Sequence, residues 1–144
     1  MNQETLSKIK YLQRYEKSLR KLKRSEEQLQ QLRCSCKGSA IKLDGMPHAH
    51  NNTDLSDYAA RLDAEERKHD DLVIENLNVW EEIHAVIEQM DNETEKDVLT
   101  YRYICLFGWG TICEKIGKSQ KQVKRIHCQG LKNIKIEPGR GQQT

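Results

Sequence analysis

A chain of 144 residues, 36% hydrophobic and 32% charged, suits one domain or two small ones but is too polar for a single thick core. No run reaches the roughly 18 apolar residues of a membrane span, and the first residues lack a signal-peptide core, so a cytoplasmic protein with no membrane partner is expected. The net charge of +2 conceals three blocks, with +6 over residues 1–52, −11 over 53–95 and +7 over 96–144. That layout suggests that the acidic block pairs with the first basic one, leaving the last basic block to meet a polyanion.

The first predicted element is one long helix over residues 3–33. Leu6, Ile9, Leu12, Tyr15, Leu19, Leu22, Leu29 and Leu32 recur at mostly three- and four-residue steps, with no internal Gly or Pro. Lys17, Arg20, Lys21, Lys23 and Arg24 crowd its outer positions. Heptad-like spacing explains the leucines as a coiled-coil arm. The alternative is a basic helix that grips nucleic acid directly.

Residues 34–53 contain Gly38, Gly45, Pro47, Asn51 and Asn52 and read as a mobile linker. Within it, Cys34-x-Cys36 and His48-x-His50 invite a zinc reading. A single intervening residue is short for ligand pairs in structural zinc sites, which usually lie two to four residues apart, so Cys34, Cys36, His48 and His50 form a weak metal candidate and no cofactor is expected. The five cysteines are odd in number and do not suggest a disulfide framework; Cys105, Cys113 and Cys128 are expected to pack as small hydrophobes.

A second long helix is predicted over residues 54–90, capped by Thr53 or Asp54. Leu55, Tyr58, Leu62, Leu72, Trp80, Ile83, Ile87 and Met90 keep the helical period, and Glu65, His69 and Asn76 interrupt the seam with polar groups. The acidic run Asp63, Glu65, Glu66, Asp70, Asp71 reads as a solvated or salt-bridged face. The two long helices form either a hairpin within one chain or the coiled coil of a homodimer.

From Asp91 the pattern changes to short helices. Asn92 with Glu95, Thr111 with Glu114, and Ser119 with Gln122 each fit the capping-box spacing and mark three starts. They predict helices over about 93–106, 110–116 and 119–135. Gly117 can take the left-handed conformation that ends one helix and releases the next sharply. Ile112, Ile116, Val123, Ile126, Leu131 and Ile134 are the expected core of this unit, closed from behind by Leu99, Tyr103 and Leu106. Between Lys115 and Lys135 there is no Asp or Glu. The basic residues of this run supply salt-dependent affinity for phosphates, and side chains near the start of the last helix are placed to read bases. The base-reading candidates are Gln120, Lys121, Gln122, Lys124 and Arg125; the phosphate-contact candidates are Lys115, Lys118, Ser119, Lys132 and Lys135.

The expected fold is therefore all-α: a long helical hairpin or coiled-coil arm over residues 1–90, a helix-turn-helix unit over 91–136, and a disordered tail over 137–144. No phosphate-binding glycine loop or catalytic signature occurs, and a non-enzymatic protein is expected.

Residues 98–134 resemble region four of bacterial primary sigma factors. The matching positions are Leu99, Arg102-Tyr103, Gly108, Ile112, Glu114, Ile116-Gly117, Ser119, Val123, Ile126, Leu131 and Ile134. Cys113 and Gly130 stand where that family usually has Ala, and Trp109-Gly110 is less typical of it. The whole arrangement is similar to small phage and prophage transcriptional regulators of the ArpU-like and RinA-like groups. The resemblance implies transcriptional control in a bacterial host cytoplasm, with double-stranded DNA as partner and promoter reading at the positions of Gln120, Lys121 and Arg125. The other sigma regions are missing, so a stand-alone sigma factor is not implied. Two alternatives remain open: a small terminase-like DNA-packaging protein, and an adaptor that binds RNA polymerase or a sigma factor.

Overall fold

A computed structural model describes residues 2–41 and 52–136. The fold is all-α: among the described residues there is no strand. The elements are α1 (Gln3–Leu12), α2 (Arg14–Ile41), α3 (Asn52–Glu88), α4 (Glu93–Leu99) with a π-helical continuation (Thr100–Ile104), α5 (Trp109–Ile116) and α6 (Gln120–Asn133). None of these helices is long and apolar enough to cross a membrane.

The expected single helix over 3–33 differs in two ways. It bends at Gln13, where α1 gives way to α2, although the hydrogen bonds continue from Gln13 N–H to Ile9 O (2.9 Å) and from Lys17 N–H to Gln13 O (3.1 Å). It also continues to Ile41, eight residues past Arg33, so the first part of the expected linker is helical. A lone Gly38 costs a helix only about 1 kcal/mol relative to Ala, which does not stop a segment without proline. Ser35 Oγ donates back to Gln31 O (2.9 Å), satisfying its hydroxyl on the helix itself. The next helix begins at Asn52, which puts Thr53 and Asp54 inside it rather than at its cap. His48 and His50 lie outside the described residues, as do the side chain of Cys36 and the expected tail over 137–144.

The chain divides into two compact units, residues 1–18 with 77–144, and residues 19–76. In the first, α1 and the end of α3 join the C-terminal helices. Tyr11 and Leu12 from α1, Val79, Ile83 and Ile87 from α3, and Met90 just after it share one buried cluster with Leu99, Tyr103, Leu131 and Ile134. A second cluster is built on Val98, Ile112 and Val123, with Ile116, Ile126, Cys113 and Trp109 packed around it. The single small core expected for the C-terminal helices is thus split in two, because Leu131 at the end of α6 and Ile134 just after it join the cluster of α1 and α3. Arg14 pairs with Glu82 in the same unit (3.0 Å).

The second unit is a pair of helices with a thin seam. Leu29 is the best-buried hydrophobic residue among its described residues, accompanied by the polar Ser25 and Asn76. Arg33 pairs with Glu66 (2.9 Å), and the Tyr58 hydroxyl donates to Leu32 O (3.2 Å). In each unit, therefore, segments of the two long helices pair within one chain.

Candidate nucleic-acid interface

Three short elements build the candidate surface, and each ends for a physical reason. Asn92 Oδ1 accepts from the N–H groups of Thr94 (3.0 Å) and Glu95 (3.1 Å), starting α4 as its position predicts. Glu95 does not complete that capping box. It is buried instead, and both its carboxylate oxygens accept from Asn133 Nδ2 (3.1 and 2.9 Å) at the end of α6. The helix expected to reach residue 106 widens into a π turn, with Cys105 N–H bonded to Thr100 O (3.0 Å), and stops at Leu106 in the left-handed region (φ 59°). For a residue with a Cβ this conformation costs about 1–2 kcal/mol. Phe107 N–H closes the turn on Tyr101 O (2.9 Å), and Arg102 Nη1 donates to Phe107 O (3.2 Å).

The start of α5 is a correction. Gly108 occupies the cap position, with no side-chain hydrogen bond, so Thr111 and Glu114 lie inside the helix and form no capping box. The end of α5 is as expected: Gly117 is left-handed (φ 75°), and the N–H groups of Gly117 and Lys118 both reach Cys113 O (2.8 and 3.3 Å). The capping box of α6 is complete: Ser119 Oγ accepts from Gln122 N–H (3.3 Å) and Gln122 Oε1 accepts from Ser119 N–H (3.2 Å).

Four anchors hold α6. Its N-terminus has the box. Its middle carries His127, whose Nε2 is hydrogen-bonded to the Tyr103 hydroxyl (2.7 Å) beneath the edge of Trp109 (ring centroids 5.0 Å apart). Burial and then the Arg102 guanidinium push the His127 imidazole down to about 4, so it is neutral near pH 7. Burial also pushes Tyr103 up to about 12. Near the C-terminus Asn133 is tied to Glu95, and Lys8 Nζ donates to the carbonyls of Leu131 (3.0 Å) and Lys132 (3.4 Å), where a cation also suits the helix dipole. The Lys8 anchor spans more than 120 residues of sequence, and no local pattern announces it.

All ten predicted contact residues are exposed on this unit. The buried positions of α6 are Val123, His127, Gly130 and Leu131. At 3.6 residues per turn, Lys121, Arg125, Cys128 and Lys132 fall on the opposite side as one outward stripe. The ten are not equivalent, however. Lys124 Nζ lies over the Trp109 ring (5.9 Å from its centroid), which also carries Arg102 (4.5 Å), and Lys115 Nζ lies over Phe107 (5.1 Å). Gln122 uses one acceptor site of its oxygen for the cap, which fixes the side chain and restricts its reach towards a base. Lys135 lines a polar cleft of about 400 Å³ with Asp91, Asn92 and Glu95, beside acids rather than among the other cations. Cys128 and Cys105 are exposed, contrary to the expectation of buried thiols; only Cys113 packs against a core cluster. Among the described residues no cluster of His, Cys, Asp and Glu has the geometry to hold a metal ion.

No protein-family model, curated protein or solved structure matches the chain.

Proposed function

We propose that the protein is a DNA-binding transcription regulator of the phage type, and that α5 and α6 act as a helix-turn-helix with α6 in the major groove. The observation that carries this reading is the outward stripe Lys121, Arg125, Cys128 and Lys132 on a helix whose other side is buried and whose two ends are fixed. Base reading needs side chains held in register on a rigid element, and α6 offers that. The left-handed Gly117 turn gives the sharp exit between the two helices that such a unit uses. The likeness of residues 98–134 to region four of sigma factors supports the same assignment. In this reading Gln120, Lys121 and Arg125 meet base edges, while Lys118, Ser119 and Lys132 meet phosphates; Lys115 and Lys124 steer from the aromatic surface.

Selection of duplexes from a random pool by the purified protein tests the reading. Enrichment of one sequence is expected. Arg125→Ala should then lower the preference for that sequence. Lys132→Ala should weaken all duplexes alike and make the salt dependence shallower by about 1. A pool that emerges without enrichment would overturn the reading and leave the polymerase adaptor as the better one.

A further inference from the structure

A second cationic surface lies in the other compact unit. Between Glu16 and Glu26 the sequence of α2 holds five cations and no acid, and Arg20, Lys21, Lys23 and Arg24 of that run belong to the unit of residues 19–76. All four are exposed. Arg24 lies one helical turn from both Arg20 and Lys21 on the same side of the helix, and Lys23 widens this patch.

Charge blocks in the sequence suggest that the acidic α3 neutralises these residues, but the ion pairs go elsewhere. In this unit Arg33 takes Glu66, while Asp63 and Glu65 are paired with Arg67 and Lys68 of their own helix (3.1 and 3.4 Å). The part of α3 over 72–76 carries a single acid, Glu75. Arg20 already has a partner within the chain; Lys21, Lys23 and Arg24 have no ion-pair partner among the described residues. Their charges are left to solvent in a unit that holds half of the chain's acids.

We propose that Arg20, Lys21, Lys23 and Arg24 form a second phosphate-contacting surface for duplex DNA, separate from α6 and without sequence preference. The proposal rests on the nucleic-acid reading of α6. A cluster of four exposed cations on little more than one turn of a helix suits contact with the regular charge of a phosphate backbone. Anionic lipid fits less well, because surface-bound amphipathic helices insert large apolar residues beside their cations. The hydrophobic neighbours here, Leu19 and Leu22, are half-buried in the protein.

The test compares the full-length parent with K21Q/K23Q/R24Q on a random-sequence duplex, measuring affinity across a salt series, with circular dichroism to check that the helices are retained. The logarithmic salt slope should become shallower by about 2 to 3, since each phosphate that the variant no longer neutralises removes about 0.9, while preference for a selected site is kept. An unchanged slope would overturn the proposal. So would parent binding to vesicles rich in anionic phospholipid that the triple variant loses, or a change in oligomeric state of the triple variant without DNA. K121Q/R125Q separates the two readings. If it abolishes sequence preference while the triple variant leaves the slope unchanged, only the second surface fails. If the parent binds no duplex at all, the reading of α6 fails and the second surface with it.

Discussion

In the unit of residues 1–18 and 77–144, Leu12, Ile83, Ile87, Leu99 and Leu131 are wholly shielded from solvent, as are Ile112 and Val123 in its second cluster. In the unit of residues 19–76, Leu29 at 4% exposure is accompanied by Ser25 and Asn76, while Leu55 and Ile74 are more than half exposed (57% and 58%). Both units draw on the same two long helices. The difference lies in what else packs on them: in the first, α4, the π turn and α6 close the pair into a core, and among the described residues of the second the helices have only each other. Three or more packed elements can seal a side chain on all sides, whereas two helices leave each seam residue open at its flanks. The candidate reading surface belongs to the sealed unit, and its stripe is correspondingly well fixed. The proposed second surface belongs to the open unit, which would suit contacts to a uniform backbone more than discrimination between bases.

The largest test of this contrast is a pair of truncations. Leu99→Ala removes a fully buried side chain from the cluster that joins α6 to the long helices, and should destabilise the protein by about 2–5 kcal/mol. Leu29→Ala should cost less than half as much, because water can enter the open seam and little cavity remains. Thermal unfolding of the two variants measures this directly. Equal losses would show that the second unit holds a core as good as the first.

Acid should also act through the sealed unit. His127 titrates near 6.5 when unfolded and at about 4 when folded, so on acidification the unfolded chain takes up the proton first. The stabilisation is whole above pH 6.5 and is lost as the pH falls towards 4, about 3 kcal/mol in all. Nuclear magnetic resonance should find the ring of His127 neutral down to pH 5, and His127→Gln should flatten the stability curve between pH 6.5 and 5. A ring that ionises near pH 6.5 in the folded protein would mean that the contact with Tyr103 and Trp109 does not shield it.

Much of this fold could be read in the sequence, because its signals are local. Ser119 with Gln122 and Gly117 are short-range devices, and each acts where its spacing places it. Thr111 with Glu114 has the same spacing yet caps nothing: Gly108 starts α5 three residues earlier, and a capping motif inside a helix has no free N–H groups to satisfy. Other features depend on partners far away in the chain. Lys8 on the carbonyls of Leu131 and Lys132, and Glu95 on Asn133, could not be inferred from periodicity. The same is true of the division of the C-terminal core, since Leu131 and Ile134 have the right spacing for either cluster. The positions of the candidate contact residues on α6 followed from the sequence, but the commitment of Gln122 to the cap and the acidic surroundings of Lys135 required geometry.

Gly130 is the smallest test and the most local. The sigma-like pattern has Ala at this position, and in an isolated helix Gly130→Ala would gain about 1 kcal/mol. In the folded protein a Cβ at residue 130 would sit 3.3 Å from Leu99 Cδ1 and 3.4 Å from Glu95 Cβ. Leu99 is fully buried, so it has little room to retreat, and Glu95 is held by Asn133. Overpacking of this kind costs about 1–3 kcal/mol, which exceeds the gain in propensity. Gly130→Ala should therefore lower stability by about 1 kcal/mol, whereas Gly130→Ala combined with Leu99→Val should recover part of the Leu99→Val loss by filling the space vacated. A melting temperature that rises in the single variant would mean that α4 and α6 can separate at this point. The close approach of these two helices, and with it the rigidity of the outward stripe on α6, would then be weaker than the contact between Gly130 and Leu99 indicates.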